Sequence, residues 1–173
     1  VTGEVIEKVD WVVHDRFDRA ASSGGVELAP SAVPSKGGAV IPSYLVYQWP
    51  VESPNYSSPL PPADARTVQV DPHNSSSPYG WHDTNGADGP EYTTTQGNNV
   101  DAQKSGVEAE CGPTLDCSFA LDLTADPTSG TNVDAAIANL FYWNNVIHDV
   151  WHNFGFDEAS GNFQTNNYGN GGA

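Results

Sequence analysis

The chain has 173 residues, with 6 Lys and Arg against 22 Asp and Glu, for a formal charge of -16. That length can bury a core for one domain, and the acidic field excludes nucleic acid and anionic membrane surfaces as partners. No apolar run approaches the roughly 20 residues that span a bilayer.

In chain order, "VIEKVDWVV" (5–13) reads as a β-strand, and "SSGGVELAPSAVPSKGG" (22–38) as a flexible connector. "AVIPSYLVYQW" (39–49) is a second strand candidate that Pro42 confines to its later part. A Pro/Ser-rich surface insertion follows at 50–65, and "RTVQV" (66–70) alternates as a strand. "EYTTTQ" (91–96) and "SFALDL" (118–123) are read as two further strands. In "ECGPTLDC", the Gly-Pro turn invites a disulfide between Cys111 and Cys117, worth about 2–2.5 kcal/mol on the chain-entropy model. Asn55 (NYS) and Asn74 (NSS) lie in N-glycosylation sequons, so both are candidate glycan sites.

At Asn132 the pattern changes. "NVDAAIANLFYWNNVIHDVWHNFGF" has no Pro and no Gly before Gly155, which predicts one long helix over about 132–154. Thr131 or Asn132 is expected to cap it, with Asp134 against the positive end of its dipole. Val133, Ile137, Leu140, Phe141, Ile147, Trp151 and Phe154 recur near the helical period, with Ile147 and Trp151 marking the apolar stripe. The polar, glycine-rich segment after the helix carries no element expected to dock. The fold class is therefore α+β: mostly antiparallel β with long irregular loops and one long C-terminal helix, incomplete without a C-terminal partner.

Two histidines on that helix, His148 and His152, are four apart, and Asp149 follows the first. This H-D-x-x-H is one methylene from the H-E-x-x-H of zinc peptidases, where the acid takes a proton from zinc-bound water. On a helix the two Cβ atoms lie about 6 Å apart on one face. A catalytic zinc also needs a third protein ligand. His14, His73 and His82 lie in the β-rich part, and Asp157 and Glu158 just past the helix. The preferred expectation is a structural pair, with His148 bonded inside the core, Asp149 facing water or a neighbouring strand, and His152 gaining from the helix dipole. His148 and His152 stand as the metal-ligand alternative. "SPYGWHD" (77–83) reads as a packed loop. Trp11, Trp49 and Trp81 offer a second function, a carbohydrate platform on an independent β-rich binding module.

"NLFYWNNVIHDVWHNFGFDEASGNFQTNNYGNGG" (139–172) resembles the fungalysin family of secreted zinc metalloendopeptidases, relatives of the thermolysin-like enzymes. "SPYGWHD" with "YTTTQGNNVDAQ" (92–103), and "SYLVYQWPVESP" (43–54), are similar to earlier parts of that catalytic domain. "VDWVV" (9–13) is similar to the stretch near its propeptide junction. The resemblance implies residues 1–42 as a strand and connector near that junction, and 43–173 as the N-terminal β-rich half of the catalytic domain. It implies an extracellular enzyme that hydrolyses protein and peptide substrates, with zinc held by an H-E-x-x-H helix and a further Glu. Those elements follow the segment seen here, so the C-terminal part of the same peptidase is the expected partner and this chain alone is expected to be inactive. A propeptide is a further partner the family allows. The acidic loops permit calcium, although no EF-hand spacing supports it.

Overall fold

The computed structural model describes residues 40–51, 64–71 and 73–172. The strand expected at 5–13, the connector at 22–38, Asn55, Trp11 and His14 lie outside the described residues.

Three short strands, β1 (Ser43–Val46), β2 (Thr67–Val70) and β5 (Asp116–Cys117), make one sheet in the order β2-β1-β5. β1 runs antiparallel to β2, with Ser43 opposite Val70 and Val46 opposite Thr67. On its other side β1 runs parallel to β5, so the sheet is mixed. β3 (Gln103–Lys104) and β4 (Val107–Glu108) form a separate antiparallel hairpin. Its turn places Ser105 and Gly106 at φ 55° and 82°, the left-handed pair that suits a two-residue hairpin. The Cys111–Cys117 disulfide closes the loop into β5, with Cα atoms 4.6 Å apart.

Pro42 does mark where the second strand begins, but the segments 91–96 and 118–123 are not strands. In the first, Thr94 and Gln96 make only isolated bridges to Glu110 and Asp101. The Thr95 hydroxyl donates to Ala102 O (2.8 Å) and accepts from Ala109 N (3.0 Å), so a side chain replaces part of the ladder. In the second, buried Arg66 takes the place of a partner strand. Its guanidinium donates to Phe119 O (2.9 Å) and Leu45 O (3.4 Å) and is ion-paired with Asp64 at 2.8 Å.

Helix α1 spans Thr131–Asn153, within a residue of the expected bounds. Its N-cap is Gly130, at φ 54°, rather than Thr131 or Asn132. The Asn132 side chain instead fastens the preceding loop, accepting from Asp122 N (2.8 Å) and donating to Asp122 O (2.9 Å). Gly155, at φ 92°, ends the helix and returns its N–H to His152 O.

The core lies between the sheet and one face of α1, where Tyr44, Val46, Trp81, Leu115, Ala138 and Phe141 are buried together. That inner face reads Asn132, Ala135, Ala138, Phe141, Asn145 and Asp149. Ile147 and Trp151 do not face this core; with Leu140 and Phe154 they lie on the outer side, about half exposed or more.

The segment after α1 does dock. A 3-10 turn at Glu158–Ser160 leads into a loop held by asparagines: Asn98 Nδ2 donates to Asn166 O (2.9 Å), and Asn166 N to Asn98 Oδ1 (2.6 Å). Two glycines allow the close approaches. A Cβ on Gly97 would lie 1.6 Å from Trp81 O, and one on Gly172 would lie 2.1 Å from Glu158 O.

Candidate functional site

The second half of α1 carries polar residues on its inner face, and the loop 74–81 supplies their partners. The buried Asp149 carboxylate accepts four bonds. Asn74 Nδ2 (2.8 Å) and Trp81 Nε1 (3.1 Å) donate to Oδ2; Ser77 Oγ (2.7 Å) and His148 Nδ1 (3.0 Å) donate to Oδ1. Asp149 is thus neither water-facing nor strand-bound, contrary to expectation, because this loop folds down with its donors pointing at the helix. Asn145, fully buried, accepts from Asn99 Nδ2 at 3.2 Å and donates to Phe141 O.

His148 and His152 share a helix side with ring centroids 6.2 Å apart, but their nitrogens are committed elsewhere. His148 Nε2 faces Gln164 Oε1 at 3.1 Å, and its Nδ1 faces Asp149. His152 Nε2 faces Glu158 Oε2 at 3.1 Å. Burial pushes the Glu158 carboxyl up, but its own backbone N–H, the Asn170 amide and His152 more than offset this and hold it below the usual range.

In this arrangement both nitrogens of His148 face side chains of the chain itself, and the Asp149 carboxylate is met by four donors. Among the described residues no three His, Cys, Asp or Glu side chains are arranged to hold a metal ion. The candidate third ligands serve other ends. His82 is buried, accepts from Tyr44 OH at 2.7 Å and donates to Gln96 O at 3.2 Å; burial lowers its pKa to about 4. His73 lines a cavity of about 30 Å³ with Asp71, whose pKa burial raises to about 6. Asp157 caps the 3-10 turn by accepting from Ser160 N. Trp81 is wholly buried, which removes it from any sugar-binding platform. "SPYGWHD" is the packed loop it was read to be, with Ser77, Trp81, His82 and Asp83 all buried.

What the inner face does not use, the outer face presents. A groove of about 810 Å³ runs along α1, lined by Val100, Leu140, Ile147, Trp151, Phe156 and Phe163 among others. Trp151 is 56% exposed, Phe154 70% and Phe163 86%. Buried acceptors Asn99 Oδ1, at the groove, and Asn162 Oδ1, beside His148, have no donor among the described residues. Side chains of this size are seldom left in water as a contiguous strip. The sequence signalled the strip through Ile147 and Trp151, but not which way it faces.

No helix among the described residues is long and apolar enough to cross a membrane. Comparison with known proteins gives one family match: the model for the fungalysin metallopeptidase (M36) matches residues 43–173. "Extracellular metalloproteinase MEP" of Fusarium vanettenii is 39% identical over 145 residues, covering 78% of this chain and 21% of that protein. "Extracellular metalloproteinase 2" of Phaeosphaeria nodorum is 35% identical over 142 residues, covering 76% and 21%. "Extracellular metalloproteinase 3" of Trichophyton tonsurans is 36% identical over 138 residues, covering 75% and 20%. The chain therefore spans about a fifth of the length of these curated relatives. With a match that covers most of its residues, the chain belongs to the fungalysin metallopeptidase (M36) family.

Proposed function

We propose that this chain is the N-terminal, β-rich part of a secreted zinc metalloendopeptidase acting on protein substrates. The zinc ligands and the general base belong to a C-terminal part of the same peptidase, and residues 1–173 alone are inactive. The observation that carries this reading is the commitment of the H-D-x-x-H residues to their own neighbours, in a chain whose family is peptidolytic. These residues brace α1; they do not hold metal. Residues 43–173 form the catalytic-domain part, a division supported by where the family match begins, and residues 1–42 lie toward the propeptide side.

The outer face of α1 is the seat for the C-terminal part. Leu140, Ile147, Trp151, Phe156 and Phe163 form an apolar strip of the kind that closes against another apolar element. Burying one such side chain stabilises by about 1.5–3 kcal/mol.

The test uses the assembled peptidase, loaded with zinc and assayed on a protein substrate. Chelation abolishes activity, and His148→Gln with His152→Gln leaves zinc at one per molecule. Loss of zinc from that double variant, with the fold retained by circular dichroism, overturns the assignment.

A further inference from the structure

One feature of the sequence, the sequon at Asn74, acquires a different meaning in the fold. The planar side-chain amide of Asn74 is gripped on both edges. Its Oδ1 accepts from Ser76 N (2.8 Å) and Ser77 N (3.0 Å), and its Nδ2 donates to Asp149 Oδ2 at 2.8 Å. Ser76 and Ser77 are buried, as is Asp149. The hydroxyl that completes the sequon, Ser76 Oγ, also points inward, toward Asp149 O at 3.4 Å.

N-glycosylation turns this primary amide into a secondary one, with a sugar carbon replacing one hydrogen of Nδ2. Secondary amides strongly prefer the trans arrangement, which sets the new N–C bond on the same side as the carbonyl oxygen. On that side stand the backbone amides of the two buried serines. The alternative arrangement directs the sugar at the Asp149 carboxylate, which is closed off by Ser77, Trp81 and His148. Either way a pyranose ring has to occupy space that the helix–loop contact fills.

We infer that Asn74 is a structural amide that stays unmodified in the folded protein, and that a glycan at Asn74 and the Asp149 network exclude one another. Asn74 ties the loop 74–81 to α1, and with that loop comes Trp81, the largest fully buried side chain among the described residues. The inference does not depend on the peptidase reading.

The experiment expresses the full protein in a glycosylating fungal host and isolates the folded, monodisperse fraction. Peptide-N-glycosidase in heavy-oxygen water then converts every occupied Asn to labelled Asp for peptide mapping. The Asn74 peptide is expected unlabelled; labelled Asp at that position in the folded fraction overturns the inference. Two variants separate structural use from mere failure of the sequon. Ser76→Ala destroys the sequon while keeping the amide and shifts the unfolding midpoint by less than about 2 °C. Asn74→Ala destroys both and lowers the midpoint by about 5 °C or more. If Asn74→Ala is no worse than Ser76→Ala, the amide is not structural and the inference fails.

Discussion

Removing the Asp149 carboxylate tests whether its role is hydrogen-bond topology or charge. Asp149→Ala strands four donors. Trp81 Nε1 and Ser77 Oγ are fully buried, whereas Asn74 and His148 lie nearer the surface and can turn to water. An unsatisfied buried donor costs about 1–3 kcal/mol, so the two deep ones alone give a loss of about 4 kcal/mol. Asp149→Asn behaves differently. Its oxygen serves Trp81 and Asn74, and its amide faces Ser77 and His148. Ser77 can rotate its hydroxyl to accept, and His148 can accept at Nδ1 as the tautomer that donates from Nε2 to Gln164 Oε1, 3.1 Å away. The charge assistance of the bonds is lost, and the Ser77 hydroxyl, which also accepts from Asn99 Nδ2 (3.1 Å), gives up its acceptor, about 2 kcal/mol together. The gap between the variants, about 2 kcal/mol, is about thirtyfold in the folding equilibrium and easily read by urea unfolding followed by circular dichroism. Equal destabilisation by Ala and Asn refutes the topology argument. An Asp149→Ala protein as stable as the parent, but devoid of zinc-dependent activity, restores the H-D-x-x-H site as catalytic.

Two further outcomes follow from burial. His82 has its pKa lowered to about 4, so its stabilising contribution is present above its unfolded value near 6.5 and lost as pH falls through about 4, some 3 kcal/mol in all. Asp71, raised to about 6, has the opposite sign: its contribution is present below 3.8 and lost as pH rises through about 6, again about 3 kcal/mol. The two slopes nearly cancel between pH 4 and 6. His82→Gln keeps an acceptor for Tyr44 and a donor for Gln96, so it exposes the Asp71 slope: its stability relative to the parent improves by about 3 kcal/mol between pH 6.5 and 4. Parallel profiles for parent and variant in unfolding scans contradict the His82 assignment, and a variant profile that is flat between pH 4 and 6 contradicts that of Asp71. On the outer face, Leu140→Ser and Trp151→Ser each cost the assembled peptidase about 1.5–3 kcal/mol if the face is buried there. Effects within about 0.5 kcal/mol show that it stays in solvent.

Much of this was legible in the residues. The run from Asn132 without Gly or Pro gave α1 to within a residue, and Gly155 gave its stop. "ECGPTLDC" gave the disulfide. What the sequence could not convey was which face of α1 turns inward. Periodicity favours Ile147 and Trp151 for the core, yet Asn145 and Asp149 are buried instead, because a loop about seventy residues earlier brings the donors that make a buried carboxylate tolerable. The absent strands have the same origin. Thr95 and Arg66 satisfy backbone groups through side chains, and alternation alone does not reveal that substitution. The partners of the histidine pair, Gln164 and Glu158, sit in a glycine-rich tail that looked undocked.

The two faces of α1 also differ in what completes them. The inner face is complete once loop 74–81, β1 and the Asn98–Asn166 clasp have closed, and all of these lie within the described residues. Leu140, Trp151 and Phe163, by contrast, remain exposed. Left uncovered, an apolar strip of this kind is a nucleus for aggregation. The chain's formal charge of -16 opposes such association by mutual repulsion.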